Sequence, residues 1–265
     1  MSNNTKAEQA AKLIWNCWHT GDTMTRLPDE LCPQTREEGD AIQAHFENFS
    51  DRPIFGWKIA ATSIAGQNHI GVSGPLAGRI LQERVFQPSA TLDFGANRMA
   101  VAEPEFAFRM GETLIPRPDE YSQAEVVSAV DGLHPAIEIP DSRFHDFASV
   151  GEEHLIADNA CAHEFVIGPQ MPDSWRSLDL SKHAVTISIL NGISNKGIGS
   201  NVLGDPRLAL TWIVNELSRN NISLIAGSTV ATGTCTTPIG IKAGDTITAD
   251  FGTLGGLQVL FAADG

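Results

Sequence analysis

Residues 98–110 read RMAVAEPEFAFRM, an apolar run interrupted by Glu103-Pro104-Glu105 and bounded by arginines. Its length and composition are those of a buried strand, in which successive side chains point to opposite faces. Glu103 and Glu105 therefore project to the same side. Like charges so close raise one another's pKa unless a cation neutralises them. Pro104 cannot donate a ladder hydrogen bond, which places the pair at a sheet edge or a strand end.

Reading outward, IFGWKIAAT (54–62) is a second strand, and HPAIEIP (134–140) a short third. Between them lies a loop with Gly66, Gly71, Gly74 and Gly78 and no helical period. Ser122 and Glu125 form a capping box that opens a helix of about ten residues, ending near Gly132. LIADNACAHEFVIG (155–168) is mixed, and HAVTISILNGISNKGIGS (183–200) reads as a hairpin turning at Asn191-Gly192. DPRLALTWIVNELSRN (205–220) is the clearest helix, capped by Asp205, opened by Pro206, with Leu210, Ile213, Val214 and Leu217 on one face. STVATGTC, DTITADFG and LQVLFA add strands, with a turn at Gly244-Asp245.

The first fifty residues are helical. Ala10, Leu13, Ile14, Cys17 and Trp18 recur at helical spacing between Lys6 and His19, and Gly21 ends that helix. Thr35 and Glu38 form a capping box for a second helix running to about Phe49. Pro28 and Pro33 lie in the loop between the two. The expectation is an α+β protein: a helical region over residues 1–53 and a β-rich domain over 54–265.

Composition narrows the function. Of 265 residues, 18 are Lys or Arg and 32 Asp or Glu, a net charge of −14, while 42% are hydrophobic and only 19% charged. Such a chain buries a large core. It has no basic cluster to neutralise nucleic-acid phosphates or to bind an anionic membrane surface. No apolar run approaches the roughly 20 residues needed to span a bilayer, and the polar start carries no signal-peptide core. Cys17, Cys32, Cys161 and Cys235 are scattered, as expected of reduced thiols in a cytoplasmic protein.

Glu138 is a third acid between apolar neighbours. A lone Glu in a buried strand is costly unless it is paired or ligates a metal. Three carboxylates without Cys or His favour a hard cation such as Mg²⁺ or Mn²⁺. Lys58, between Trp57 and Ile59, either snorkels to solvent or binds an anionic substrate beside the metal. Arg143 could fork onto a carboxylate, and Asp158-Asn159 either backs a site or forms an Asx turn. His134, His154 and His163 have no metal-ligand spacing, and residues 195–199, NKGIG, lack the spacing of a phosphate-binding loop.

In order along the chain stand GWKIAATS, AEPEFAFRMG, PAIEIPDSRF, ADNACAHEFVIG, VLGDPRLALTWIVNEL and TGTCTTPIGIKAGDTITADFG. Together they resemble the 2-keto-4-pentenoate hydratase / 4-oxalocrotonate decarboxylase branch of the fumarylacetoacetate hydrolase superfamily. The resemblance covers residue 54 to the C-terminus, with a helical N-terminal segment also typical of the branch. It implies a β-rich fold of the fumarylacetoacetate hydrolase C-terminal type and a homo-oligomer. It also implies Mg²⁺ or Mn²⁺ held by Glu103, Glu105 and Glu138, with Lys58 as the active-site lysine. Arg143 is a candidate substrate-binding residue from its own sequence context; the resemblance adds Asp158 and Asn159, and Thr232, Gly233 and Thr234 near the substrate.

The implied reaction is hydration of a 2-hydroxy-2,4-dienoate to a 4-hydroxy-2-oxo acid in aromatic catabolism, through an enolate. A 4-oxalocrotonate-type decarboxylase uses the same enolate. An acylpyruvate C–C hydrolase would need a water-activating His-Glu pair that this sequence does not display. A non-catalytic partner subunit is the remaining alternative. The substrate is a small 2-oxo acid, and association with another enzyme of the pathway fits the branch. One stretch departs from the pattern: where the hydratases carry an acid after the Gly-Val step, this chain reads Gly71-Val72-Ser73-Gly74-Pro75-Leu76-Ala77-Gly78.

Overall fold

A computed structural model describes residues 3–263. Three helices come first: α1 (Asn3–Thr20), α2 (Arg36–Ala44) and α3 (Phe46–Phe49). There follow β1 (Ile54–Ala60), α4 (Ile64–Ile70), β2 (Leu76–Leu81), β3 (Val85–Phe86), β4 (Thr91–Leu92) and β5 (Val101–Met110). The middle of the chain forms α5 (Gln123–Ser128), β6 (Val130–Ile139), α6 (Glu152–Ala157) and β7 (Glu164–Ile167). The last part is β8 (Ala184–Ile189), β9 (Ser194–Ile198), α7 (Pro206–Arg219), β10 (Thr229–Thr234), β11 (Ile239–Gly240), β12 (Thr246–Asp250) and β13 (Gly256–Phe261). No helix among the described residues is long and apolar enough to cross a membrane.

The strands build two sheets. The larger runs β2-β1-β10-β5-β6-β7-β3, with β11 on the end of β5, and the smaller runs β4-β13-β12-β8-β9. The two edges of the larger sheet, β2 and β3, are joined by only Gln82–Arg84, so the sheet must curl until its edges meet. The apolar contacts agree. Ile80, Phe55, Ala231, Ala107, Ala136, Phe165 and Val85, one from each strand along the path, form one cluster inside the roll. Three of them are alanines, small enough to pack where the strands converge.

Alternation sends Phe106, Phe108, Leu133, Ile137 and Val230 outward. There they pack with Ile187, Ile247 and Val259 of the second sheet and with Leu210, Ile213, Val214 and Leu217 of α7. The N-terminal helices keep a separate core: Ala10, Ala11, Ile14 and Trp18 of α1 meet Ile42, Phe46, Leu81, Phe144 and Ala157.

Several local expectations change. Residues 63–71 are not a plain loop: Ser63 caps α4 by accepting from Gly66 N, and Gly71 ends it at φ 67°. This helix buries none of its residues, so no apolar period announces it. The second N-terminal helix breaks at His45. Thr35 accepts from Glu38 N, but Glu38 answers Gln34 N, one residue earlier than a capping box requires. The Ser122–Glu125 box is complete, yet α5 stops at Ser128 because Val130–Ile139 is one long strand that absorbs Gly132.

Pro104 is the instructive case. It lies inside β5, a central strand, rather than at an edge. Its carbonyl accepts from Cys235 N, so its missing N–H faces β10. The register with β10 shifts there, between Ala231 and Thr234. A bulge in the neighbour removes the demand for the donor that proline lacks.

Candidate active site and metal centre

The acids meet where β5 and β6 pair. Glu103 lies directly opposite Glu138, and Glu105 is two residues along the same face, opposite Ala136. One carboxylate oxygen from each of the three lies within 4.8 Å of the others. Glu103 is half-buried, and Glu105 and Glu138 are sealed from solvent. Glu105 Oε2 accepts from Gly233 N at 2.8 Å. Gly233 sits at φ 102°, and a Cβ there would come within 2.2 Å of Thr62 Oγ1, so only glycine lets this amide reach the acid.

Glu105 Oε1 and Glu138 Oε2 have no hydrogen-bond partner. Burial, then the charge of Glu138, pushes the Glu103 carboxyl up to about 8. The same two causes, with Glu103 added, hold Glu105 well above the carboxylate range. Burial raises Glu138 as well, against the pull of Lys58. Buried acceptors left empty are costly. An all-oxygen set of this kind fits a hard divalent cation, which would neutralise the cluster and take up the lone pairs. It is the one such group among the described residues.

Lys58, on β1, does not snorkel to solvent. It is 3% exposed, lies 2.9 Å from Glu138 Oε1 as an ion pair, and donates to Ala160 O at 3.0 Å. Burial works against its charge, but Glu138, Glu103 and Glu105 together outweigh burial and raise its pKa. These acids favour the ammonium form. An ammonium has three donors, so one N–H remains to reach a ligand.

Ala160 belongs to an unusual turn. Asn159, Ala160 and Cys161 sit consecutively in the left-handed region, at φ 56°, 50° and 59°. Each costs on the order of 1–3 kcal/mol and persists only if its surroundings over-determine it. They do. Asn159 brackets Arg79 of β2, with Oδ1 accepting from Arg79 N at 2.6 Å and Nδ2 donating to Arg79 O at 2.8 Å. Asp158 accepts from Ser142 Oγ at 2.6 Å, from Arg143 N at 3.0 Å and from Arg143 Nε. Arg143 also donates to the carbonyls of Asp141, Asp158 and Ala162 and stacks on Trp18.

Among the residues expected beside the substrate, the polar groups of Arg143, Asp158 and Asn159 thus bind one another and the backbone. Thr232 Oγ1 likewise donates to Phe106 O at the bulge, and Thr234 Oγ1 to Thr236 O. Gly233 engages Glu105. His134 and His154 each leave Nε2 without a partner, and His163 accepts from Trp18 Nε1. None of the three histidines belongs to the carboxylate group.

Sequence reading placed Gly78 in a loop rather than in β2 and passed over Arg79. Gly78 lies opposite Lys58, and a Cβ on it would come within 2.5 Å of Asn159 O and 3.1 Å of the Lys58 chain. An isolated glycine within a strand was the available signal.

Comparison with known proteins bears on this geometry. No family model matches the chain. The chain is 27% identical over 260 residues to a 2-keto-4-pentenoate hydratase of Paraburkholderia xenovorans, covering 97% of this chain and 95% of that one. It is 29% identical over 240 residues to a 2-oxo-hept-4-ene-1,7-dioate hydratase of Escherichia coli, covering 86% and 87%. The structure of 4-oxalocrotonate decarboxylase from Pseudomonas putida G7, complexed with magnesium and adipate, superposes with a TM-score of 0.88 at 23% identity over 98% of each chain. The chain is thus a relative of the 2-keto-4-pentenoate hydratases, with the fold of that decarboxylase, as the resemblance drawn from its motifs implies.

Proposed function

We propose that this chain is a divalent-metal-dependent hydratase that adds water to a 2-hydroxy-2,4-dienoate, giving a 4-hydroxy-2-oxo acid in aromatic catabolism. The observation that carries the reading is the cluster of three carboxylates, two of them buried with unpartnered oxygens, beside a buried, ion-paired lysine. Near full-length similarity to hydratases of this type supports it.

Glu103, Glu105 and Glu138 would hold Mg²⁺ or Mn²⁺. A divalent cation there supplies Lewis acidity to the oxygens of a 2-oxo acid head. Lys58, with one N–H unspent, hydrogen-bonds the substrate's oxygen or takes part in proton transfer. Gly233 N fixes the Glu105 carboxylate. Burial of Lys58 and two of the acids excludes water and strengthens each of these interactions. We assign Arg143, Asp158, Asn159 and Thr232 to support of the site, because their polar groups are already engaged. Thr234, half-buried at the end of the bulge, borders it. We take residues 1–53 as a helical region and 54–265 as the catalytic domain of a cytoplasmic homo-oligomer.

Loss of ultraviolet absorbance by 2-hydroxypenta-2,4-dienoate, measured with Mg²⁺, with Mn²⁺ and with chelator, tests the reading. Metal-dependent turnover is expected. Equal rates in chelator would remove the metal from the mechanism. Release of CO₂ from 4-oxalocrotonate without hydration of the dienoate would make the chain a decarboxylase.

A further inference from the structure

Where the hydratase pattern has an acid, this chain has Ser73, and the structure brings another acid to it. Glu152, the first residue of α6, accepts from Ser73 Oγ at 3.0 and 3.2 Å and from Ser73 N at 3.3 Å. Arg36, the first residue of α2, ion-pairs with the same carboxylate and donates through Nη2 to Pro75 O at 3.0 Å. We propose that Arg36, Glu152 and Ser73 form a clamp through which the N-terminal helices set the position of Lys58, making Arg36 a positioning residue of the site. The inference rests on the reading of Lys58 as a residue that contacts the substrate.

The clamp is one end of a longer polar stripe. Arg36, Gly39 and Gln43 follow at spacings of three and four residues along one face of α2, and Glu47, on α3 beyond the break at His45, shares the partner Arg79 with Gln43. A Cβ on Gly39 would come within 2.7 Å of Glu153 O, so α2 lies directly on α6. Gln43 Nε2 donates to Ile156 O at 2.8 Å and to Ala77 O at 3.0 Å, while its Oε1 accepts from Arg79. Arg79 Nε donates to Glu47 Oε1 at 2.6 Å.

Every one of these bonds ends on α6, on β2 or on the residues leading into β2. Those two elements set Lys58: α6 runs into the turn whose Ala160 carbonyl accepts from the ammonium, and β2 presents Gly78 against the lysine chain. Apolar contacts elsewhere on α1 and α2 hold the helices to the body of the protein. Hydrogen bonds are directional, so the stripe fixes distance and angle in a way apolar burial does not. A displacement of about 1 Å in a reacting group can lower a rate about a hundredfold.

The test compares wild type with Arg36→Met, which keeps the aliphatic stem, with Arg36→Lys, and with Ser73→Ala. Dienoate turnover, Mn²⁺ affinity and hydrogen exchange at the Arg79 amide, which is bonded to Asn159, are measured in each. In Arg36→Met we expect kcat to fall about tenfold with KM within about twofold, unchanged Mn²⁺ affinity and faster exchange at Arg79. Ser73→Ala should lose about threefold in kcat. Arg36→Lys should recover part of the loss, since an ammonium lacks the planar fork that serves Glu152 and Pro75 together. Unchanged kcat in folded Arg36→Met overturns the clamp, as does a kcat loss matched by lost Mn²⁺ affinity. If the wild type turns over no dienoate, the proposed reaction fails, and exchange alone decides the clamp: unchanged protection at Arg79 in Arg36→Met overturns it.

Discussion

Two clusters of buried charge lie close together in this chain and are built on opposite principles. In the Arg143–Asp158 pair both carboxylate oxygens are taken, by Ser142, by Arg143 N and by the guanidinium, and the remaining bonds of Arg143 go to backbone carbonyls. In the Lys58–Glu138 pair the ammonium meets Glu138 Oε1, but Glu138 Oε2 has no partner, and Glu103 and Glu105 crowd the same face. The carboxylate of the saturated pair has no unpartnered oxygen to offer a ligand, and the pair serves to hold the chain. An unsaturated one is unstable alone and complete only with something bound. Burial and charge are common to both; the state of the lone pairs separates scaffold from site.

The largest expected effect lies on the unsaturated side. Glu105→Gln should lower turnover about 10⁴-fold, or about 5.5 kcal/mol in the barrier, and abolish Mg²⁺ dependence. The metal-free variant should be no less stable than metal-free wild type by urea unfolding, because burial and the neighbouring acids disfavour the charged carboxylate there and Gln keeps an oxygen for Gly233 N. Lost stability would show that the carboxylate is structural.

Next comes the saturated pair. Asp158→Ala should destabilise by about 3–5 kcal/mol, because it strands a buried guanidinium. A loss below about 1 kcal/mol in urea titration would mean that Arg143 finds other partners.

The third effect is a pH dependence. Glu103 is raised from 4.5 to about 8, so the stability its protonated form contributes is full below about 4.5 and is lost as pH rises through about 8. Metal-free protein should therefore weaken between pH 5 and pH 8, and the gain in Tm from Mg²⁺ should be larger at pH 8 than at pH 6, where protons compete with the ion. At a hundredfold excess over Kd the ion contributes about 2.7 kcal/mol. A gain in Tm independent of pH would argue against carboxylate ligands.

The smallest is Trp18→Phe, which removes the hydrogen bond to His163 and weakens the stacking on Arg143. It should cost about 1 kcal/mol and leave KM unchanged. A larger rise in KM than in unfolding would place α1 nearer the substrate than the geometry does.

Much of the site was legible because its rules are local. The period of two in a strand put Glu103 and Glu105 on one face, and the cost of a lone buried acid singled out Glu138. Caps and turns behaved likewise: Asp205 and Pro206 open α7, and Asn191, at φ 59°, turns the hairpin. The misreadings share a different cause. Pro104 looked like an edge residue because the bulge that accommodates it lies in β10, more than a hundred residues away. That Arg143 could fork onto a carboxylate was legible, but the carboxylate is Asp158, fifteen residues on and brought to it by the fold. The α4 helix was missed because, burying nothing, it has no apolar stripe to read.

The amino-acid sequence by itself determined the inventory: an α+β chain, three acids and a lysine in apolar strands, an all-oxygen donor set and similarity to the hydratases. Composition and periodicity are properties of neighbours along the chain, and these features depend on nothing else. Only the tertiary structure decided which charges are spent and which are open. That depends on atoms brought together from distant segments: Gly233 onto Glu105, Ala160 onto Lys58, Asp158 onto Arg143, and Glu152 onto Ser73. A side chain's chemistry is fixed by its identity, but its availability is fixed by who else is within 3 Å, roughly the length of a hydrogen bond.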